Sequence, residues 1–392
     1  CRPGRLRAGA RLAFLVGLVA WTYAPAGFAL EPDEVLLLAR AADPEAGRIV
    51  AHYCARRGVP RSNVFGLHVA PGETISRRDF ERWVLAPLRR ELRRPERARI
   101  RCLLVLRGLP LRVGPADMEE ASPPSGPGAE LHGRRSTIAA FDSEIATVLR
   151  PPASLEGWAR NPLYRPFPVL PVAAPVRGPD RPLMVARLDA PTRRQVIGLI
   201  DRAVEGQRLG LDGLFCFDAR GLRGKGGYAA FDTRIREAAR LAERSGLPVL
   251  LDDTPRLFGK GDCEGTAFYV GWYSLNRYRP AFTFVPGAIG YHVASAEAHT
   301  LHRGGSGRPW VRGLIEDGIT ASWGPTNEPY LGSFPDPVAV LARVIEGRHT
   351  LAELYWETIP HVSWRQVLVG DPLYRPHLAA RFERARPAAG GR

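Results

Sequence analysis

The stretch MVARLDAPTRRQVIGLIDRAVEGQRLGLDGLFCFD, residues 184–218, decides the fold. Met184 to Leu188 is a short apolar run closed by Asp189, the length and composition of a buried strand. Thr192 and Gln195 stand three apart, as in a capping box, and Val196, Leu199, Ile200 and Ala203 then recur at helical spacing. Leu214 to Phe217 is a second strand-like run, closed by Asp218. A strand, a capped amphipathic helix and a strand form the repeating unit of a parallel sheet.

The same alternation extends both ways. On the N-terminal side, Glu34 to Ala39 reads as a strand. Residues 44–57 then place Ile49, Val50, Tyr53 and Cys54 on one helical face, stopped by Gly58-Val59-Pro60. Asn63 to Val69 and Ile100 to Leu106 read as strands. Between them Ser76 and Asp79 cap a helix carrying Phe80, Trp83, Val84 and Leu88, with a kink expected at Pro87. Beyond Asp218, Asp232 is expected to cap a helix through Arg244, and Val249 to Leu251 is a strand ending in Asp252-Asp253. Strands follow at Ala267–Val270, Ala288–Val293, Ile319–Ala321 and Val367–Val369, with helices over 336–346 and 350–357. The fold class is α/β, a mainly parallel sheet with helices on both faces, read as a single domain over 30–378. Residues 114–136, rich in Pro, Gly and Ser, read as a disordered loop, and 379–392 as a flexible tail.

Residues 1–29 carry Arg2, Arg5, Arg7 and Arg11 and no acid, then an apolar run Leu12 to Tyr23, then small residues up to Ala29. That is the pattern of a secretory signal peptide, and the run is shorter than the ~20 residues a spanning helix needs. An exported location, periplasmic or extracellular, follows as the expectation, with no transmembrane segment after the signal peptide is removed. The net charge of +15 falls to +11 without those four arginines. Lys225 and Lys260 are the only lysines, so the charge is arginine and reflects a GC-rich coding bias. The arginines are spread along the chain, no basic block interleaved with aromatics stands out, and no specific nucleic-acid partner is expected. No cysteine lies within four residues of another, which excludes CxxC metal and redox spacings. Cys54, Cys102 and Cys216 read as buried thiols, and Cys263 as a loop thiol, free or paired.

In an open parallel sheet, ligands bind beyond the carboxyl ends of the strands. Here the strands end in polar groups: Asp189, Asp218, Asp252 and Asp253, Trp272 and Ser274, His292 and Ser295, Asn327 and Glu328. On this reading they cluster along one edge. The alternative is that they cap helices and satisfy turns. Asp218, Asp252 and Asp253 offer the oxygen ligands of a hard cation such as Ca²⁺, and no other cofactor signature is present.

The C-terminal half, roughly residues 180–375, resembles gingipain-type, caspase-like cysteine peptidases. The resemblance rests on the order of Met184-Val185-Ala186-Arg187-Leu188-Asp189, Tyr269-Val270-Gly271-Trp272-Tyr273-Ser274, the strand Gly287 to Ser295, Gly313 to Thr326, and Val369-Gly370-Asp371-Pro372-Leu373. It implies a caspase-like architecture. The chain from residue 30 onward also resembles an uncharacterised family of exported bacterial proteins. That likeness is carried by Pro32-Asp33-Glu34-Val35, Glu73-Thr74-Ile75-Ser76, Phe141-Asp142-Ser143-Glu144, Phe217-Asp218-Ala219-Arg220-Gly221, Asp252-Asp253-Thr254, Gly271 to Asn276 and Gly370 to Tyr374. It adds Asp142 and Glu144 to the candidate ligand-binding residues.

The departures from the peptidase pattern bear on chemistry. A cysteine peptidase needs a thiolate beside an imidazole. Trp272 stands where the resemblance places the histidine, and no cysteine lies between Gly287 and His302. Ser295 is the nearest hydroxyl. His292, three positions away, points to the opposite face of one strand, which leaves His299 or His302 as a partner from the following segment. Two functions stay open. One is a binding domain for a peptide, saccharide or envelope component, with Trp272, Tyr273, Asn276 and Tyr278 contacting the ligand. The other is a hydrolase rewired around Ser295 or a bound metal.

Overall fold

The computed structural model describes residues 29–115, 137–150, 157–168, 174–176, 178–302 and 307–385. The expected signal peptide, apart from Ala29, and residues 116–136 of the expected loop lie outside these. Ten strands build the main sheet. In chain order they are β1 Val35–Arg40, β2 Val64–Leu67, β3 Cys102–Leu106, β4 Met184–Leu188, β5 Leu214–Ala219, β6 Val249–Asp253, β7 Cys263–Gly271, β8 Phe282–His292, β9 Ala321–Pro325 and β10 Gln366–Val369. Their order across the sheet is β6-β5-β7-β8-β9-β10-β4-β3-β1-β2.

Most of the helices fall where the periodicity predicts them; those at Phe141–Ile145, Trp310–Glu316 and Ala380–Ala385 were not expected. The first, α1, is Pro44–Arg57, and Gly58 closes it in the left-handed region at φ 69°, the conformation a C-terminal glycine supplies. The second, α2, opens at the Ser76 cap, runs Arg77–Phe80, passes through a π turn at Glu81–Leu85 and ends as Ala86–Leu92. The irregularity expected at Pro87 is therefore a wide turn placed just before it. A short α3, Phe141–Ile145, lies over β4 and β10. The Thr192–Gln195 capping box is formed and starts α4, Arg193–Leu209. The remaining helices are α5 Gly227–Arg244, α6 Trp310–Glu316, α7 Pro337–Glu346, α8 Leu351–Thr358 and α9 Ala380–Ala385.

Three expectations are corrected. The strand expected at Ile319–Ala321 is Ala321–Pro325, because Ile319 and Thr320 turn out of α6 into it. The tail expected from 379 is helical to Ala385, because Phe382 finds a buried seat. Asp232 does not cap its helix: α5 starts five residues earlier, and Asp232 is fully buried inside it.

The sheet consists of two parallel sets that run in opposite directions. Strands β2, β1, β3, β4 and β10 are parallel to one another, and so are β9, β8, β7, β5 and β6. The sets meet at the antiparallel pair β9–β10, where Ser322 faces Val369 and Pro325 faces Gln366. A single edge of strand ends is thus excluded. Asp189 closes β4 on the edge opposite to the one closed by Asp218, Asp252 and His292.

Successive residues of a strand face opposite sides, so β8 shows how both faces are covered. Tyr291 stacks on Trp323 at 4.7 Å and donates its hydroxyl to the Pro335 carbonyl just before α7. His292 points to the other face, 3.7 Å from the Trp310 ring of α6. Helix α4 approaches the backbone of β8 closely: a β-carbon at Gly206 would stand 2.2 Å from the Gly287 α-carbon. All four described cysteines are free and buried, Cys263 opening β7 and not sitting in a loop.

Candidate functional site

In the second set the chain leaves β5 outward to β6 and returns on the other side of β5 as β7. That is a topological switch point, where the connections diverge and open a crevice at the carboxyl ends. Asp218 ends β5 here, in register with Asp252 on one side and Gly271 on the other, and Gly271 pairs in turn with His292. A side chain at Gly271 has no room: its β-carbon would stand 2.6 Å from both the Asp218 β-carbon and the Tyr269 hydroxyl.

Asp218 is 1% exposed, and neither carboxyl oxygen meets a donor within hydrogen-bonding geometry. Burial, and then the neighbouring Asp252 carboxylate, push it up to about 8, and the Phe258 backbone N–H, close by but outside hydrogen-bonding geometry, pulls the other way. It therefore holds its proton at neutral pH. Asp252 is itself committed: Oδ1 accepts from the Thr254 N–H at 3.0 Å and the Thr254 hydroxyl at 2.6 Å, and Oδ2 from Arg256 at 3.3 Å. Asp253 accepts from Arg223 at 2.5 Å and from Arg236 at 3.0 Å, and the Arg223 hydrogen bond holds its carboxyl below the usual range. Asp252 and Asp253, the residues expected to hold a metal, both accept from arginines, and no group of three or more metal-ligating side chains occurs among the described residues.

Trp272 does not line an open cleft. Its ring is 1% exposed, packed against Tyr228 at 5.6 Å and Phe231 at 5.5 Å, and its indole N–H donates to Asp232 at 2.8 Å. Asp232 also accepts from the backbone N–H of Arg220 at 2.7 Å and of Leu222 at 2.8 Å, and from Arg236 at 2.5 Å. A buried carboxylate with four donors fixes the loop after β5 to α5 and to the end of β7. The exposed rings are Tyr273, at 43%, and Tyr228, at 66%, with the Arg220 guanidinium 5.7 Å from the Tyr273 ring.

His292 is a structural imidazole. Nε2 accepts the Ser274 backbone N–H at 2.9 Å, which leaves the proton on Nδ1 to be shared with the Tyr269 hydroxyl at 2.9 Å. Burial holds it well below the ordinary histidine range, so it stays neutral with its lone pair occupied. Ser274 spends its hydroxyl on the Arg277 carbonyl at 3.0 Å, and its own carbonyl accepts the Trp310 indole N–H at 2.8 Å. Asn276 adopts φ 53° and accepts the Arg308 N–H at 3.2 Å through its backbone carbonyl, as part of the turn. Tyr278 is buried and donates to Asp317 at 2.7 Å.

Ser295 lies beyond the end of β8, not on it, so the expected strand alternation with His292 does not apply. Its hydroxyl donates to Glu328, whose other oxygen accepts the Tyr330 N–H at 3.1 Å. Asn327 accepts the Glu328 N–H through Oδ1 at 2.8 Å and the Ala296 N–H through its carbonyl at 3.2 Å. His299 bonds the Ala296 carbonyl through Nδ1 at 2.9 Å. The structure thus brings Ser295, Asn327 and Glu328 together and pairs Ser295 with a carboxylate.

Glu297, a buried acid just beyond the end of β8, is one that pattern reading missed. It is fully buried, accepts the Trp310 N–H at 2.9 Å, and burial pushes it up to about 8. The signal available was an acid within the apolar segment Val293 to Ala298.

Asp142 and Glu144 lie elsewhere, on the first set. Asp142 takes a two-pronged contact from the fully buried Arg187, at 2.7 and 3.1 Å, and Arg187 also donates to Asp189 at 2.9 Å. Asp189 reaches on to His302 at 3.0 Å. Glu144 pairs with Arg77 at 2.9 Å and accepts from Ser363 at 2.6 Å. Both expected ligand-binding carboxylates are engaged by side chains of the protein itself.

Compared as a three-dimensional shape, the chain is similar over 91% of its length to 81% of the Arg-specific cysteine proteinase gingipain R, with a TM-score of 0.52 and 11% identity. The fold is caspase-like. The complex of the pro- and mature domains of RgpB from Porphyromonas gingivalis gives a TM-score of 0.48 at 10% identity, over 88% of this chain and 80% of that one. At these identities the likeness is one of fold. No family model matches the chain, and none of the curated proteins does. Among the described residues of this caspase-like domain, no helix is long and apolar enough to cross a membrane.

Proposed function

We propose that this is an exported caspase-like domain that binds a peptide or saccharide at the carboxyl edge of β5, β7 and β8, and does not cleave peptides by thiol chemistry. Trp272 carries the reading. At the end of β7, where the resemblance calls for an imidazole, stands a buried indole whose one polar atom is given to Asp232. An indole N–H donates and cannot take a proton. The nearby imidazole, His292, has its lone pair occupied. What the edge offers instead is Tyr273 and Tyr228 in the open beside Arg220, rings suited to stacking on a sugar or a peptide side chain. No cation enters this reading, since Asp252 and Asp253 are held by arginines.

One observation favours a second reading, a serine hydrolase: the Ser295 hydroxyl donates to Glu328, a carboxylate able to accept its proton. Incubation with a complex peptide library, read by mass spectrometry with and without Ca²⁺, separates the two. The binding reading expects no cleavage, and capture on peptide or glycan arrays that weakens in Tyr273→Ala and Tyr228→Ala. Cleavage lost in Ser295→Ala and Glu328→Gln overturns it in favour of the hydrolase.

A further inference from the structure

Arg78, Arg82, Arg90 and Arg93 are near neighbours in sequence, a local basic run around Trp83 that the reading of the chain as a whole passed over. Helix α2 buries Phe80, Val84, Leu88 and Leu92, spaced four apart, against the first set of strands. The opposite face carries Arg78, Arg82, Arg90 and Arg93, all exposed. None of the four forms an ion pair with another described residue, whereas many of the other arginines pair with carboxylates. Among them stands Trp83, 43% exposed, with the Arg82 guanidinium 4.6 Å from its ring. Asp79, which accepts from the Ser76 hydroxyl at 2.8 Å, and Glu81 are exposed acids that offset part of this charge near Arg78 and Arg82, whereas Glu91 is buried between Arg94 and Arg97 at 2.9 Å each.

We propose that this face of α2 docks the protein on an anionic lipid surface, with Arg78, Arg82, Arg90 and Arg93 on lipid phosphates and Trp83 at headgroup depth. Two observations fit that occupant. The segment of sixteen residues is about 24 Å long and turns four exposed arginines away from the core, a cationic strip that anionic headgroups attract electrostatically. An exposed tryptophan with a guanidinium beside its ring matches the interface, where indole settles among headgroups and guanidinium pairs with phosphate. The surface is separate from the carboxyl edge of β5, β7 and β8, so it stands or falls independently of the ligand bound there.

The test is sedimentation of the full chain with vesicles of phosphatidylcholine alone and of phosphatidylcholine mixed with phosphatidylglycerol. Wild type is compared with the triple variant Arg82→Gln, Arg90→Gln, Arg93→Gln, and any contribution of residues 1–28 is common to both. Binding to the anionic vesicles is expected, weakening with salt, and the triple variant should bind roughly 100-fold less, about fivefold for each arginine removed. The triple Arg→Lys variant should retain most of the binding, and Trp83→Ala should lose several-fold, which keeps the test decisive if the glutamine variant folds poorly. Equal binding of the wild-type and glutamine proteins overturns the proposal. So does binding to a sulfated polysaccharide without binding to anionic vesicles.

Discussion

Replacing Asp218 by Asn tests whether the crevice is built around a protonated acid. The ordinary value for such a carboxyl is 3.8, and in the fold it is pushed up to about 8. The folded protein therefore keeps a proton that the unfolded chain releases, and stability must fall as pH rises between those values, by about 1.4 kcal/mol per pH unit. At pH 5 the burden on the wild type is about 1.6 kcal/mol, and at pH 7 about 4 kcal/mol. Asparagine has the same shape and does not titrate. It brings its own constant cost, because its amide enters a site without hydrogen-bond partners. The constant cost cancels in the comparison across pH. The stability of Asp218→Asn relative to wild type should thus rise by about 3 kcal/mol from pH 5 to pH 7, measured by urea unfolding at each pH. Glu297 titrates in both proteins and drops out of the difference. A difference between the two proteins that stays flat over this range would refute the protonated carboxyl and the tight desolvation inferred at the switch point.

Asp232→Ala should cost about 3–5 kcal/mol in the same unfolding assay, because it takes one of two carboxylates from Arg236, which keeps Asp253, and leaves the Trp272 indole and two backbone N–H groups without an acceptor. A cost under about 1 kcal/mol would show that the loop after β5 is not anchored there. His302→Gln probes the contact between the segment after β8 and the end of β4. The Asp189 hydrogen bond raises His302 above its usual value, so its contribution is complete below the unfolded pKa and is lost as pH rises through the raised one. Thermal melts should show wild type ahead of the variant at pH 6 by less than about 1 kcal/mol, and level with it at pH 9.

Much of the fold was legible because strands and helices announce themselves through local periodicity. The Thr192–Gln195 box, the Gly58 stop and the runs ending at Asp218 and Asp253 depend only on neighbours in sequence. The candidate site was less legible. Asp142, Asp252, Asp253 and Trp272 read as free functional groups because their partners, Arg187, Arg256, Arg223 and Asp232, lie between 4 and 45 residues away. A polar residue at a strand end looks the same in sequence whether it awaits a ligand or already satisfies a donor.

The sequence by itself determined that short apolar strands alternate with amphipathic helices, because burial of one face needs only the right period. It also determined that Trp272 stands at the end of β7 and that no cysteine follows in β8, since these are matters of residue identity. Only the tertiary structure decided that the strands form two opposed parallel sets, because the direction of a strand is set by which neighbour it pairs with. It also decided that His292 is locked and that Asp218 is desolvated. Each of these depends on atoms that approach through space, and the energies of burial and hydrogen bonding are fixed by those distances and not by position along the chain.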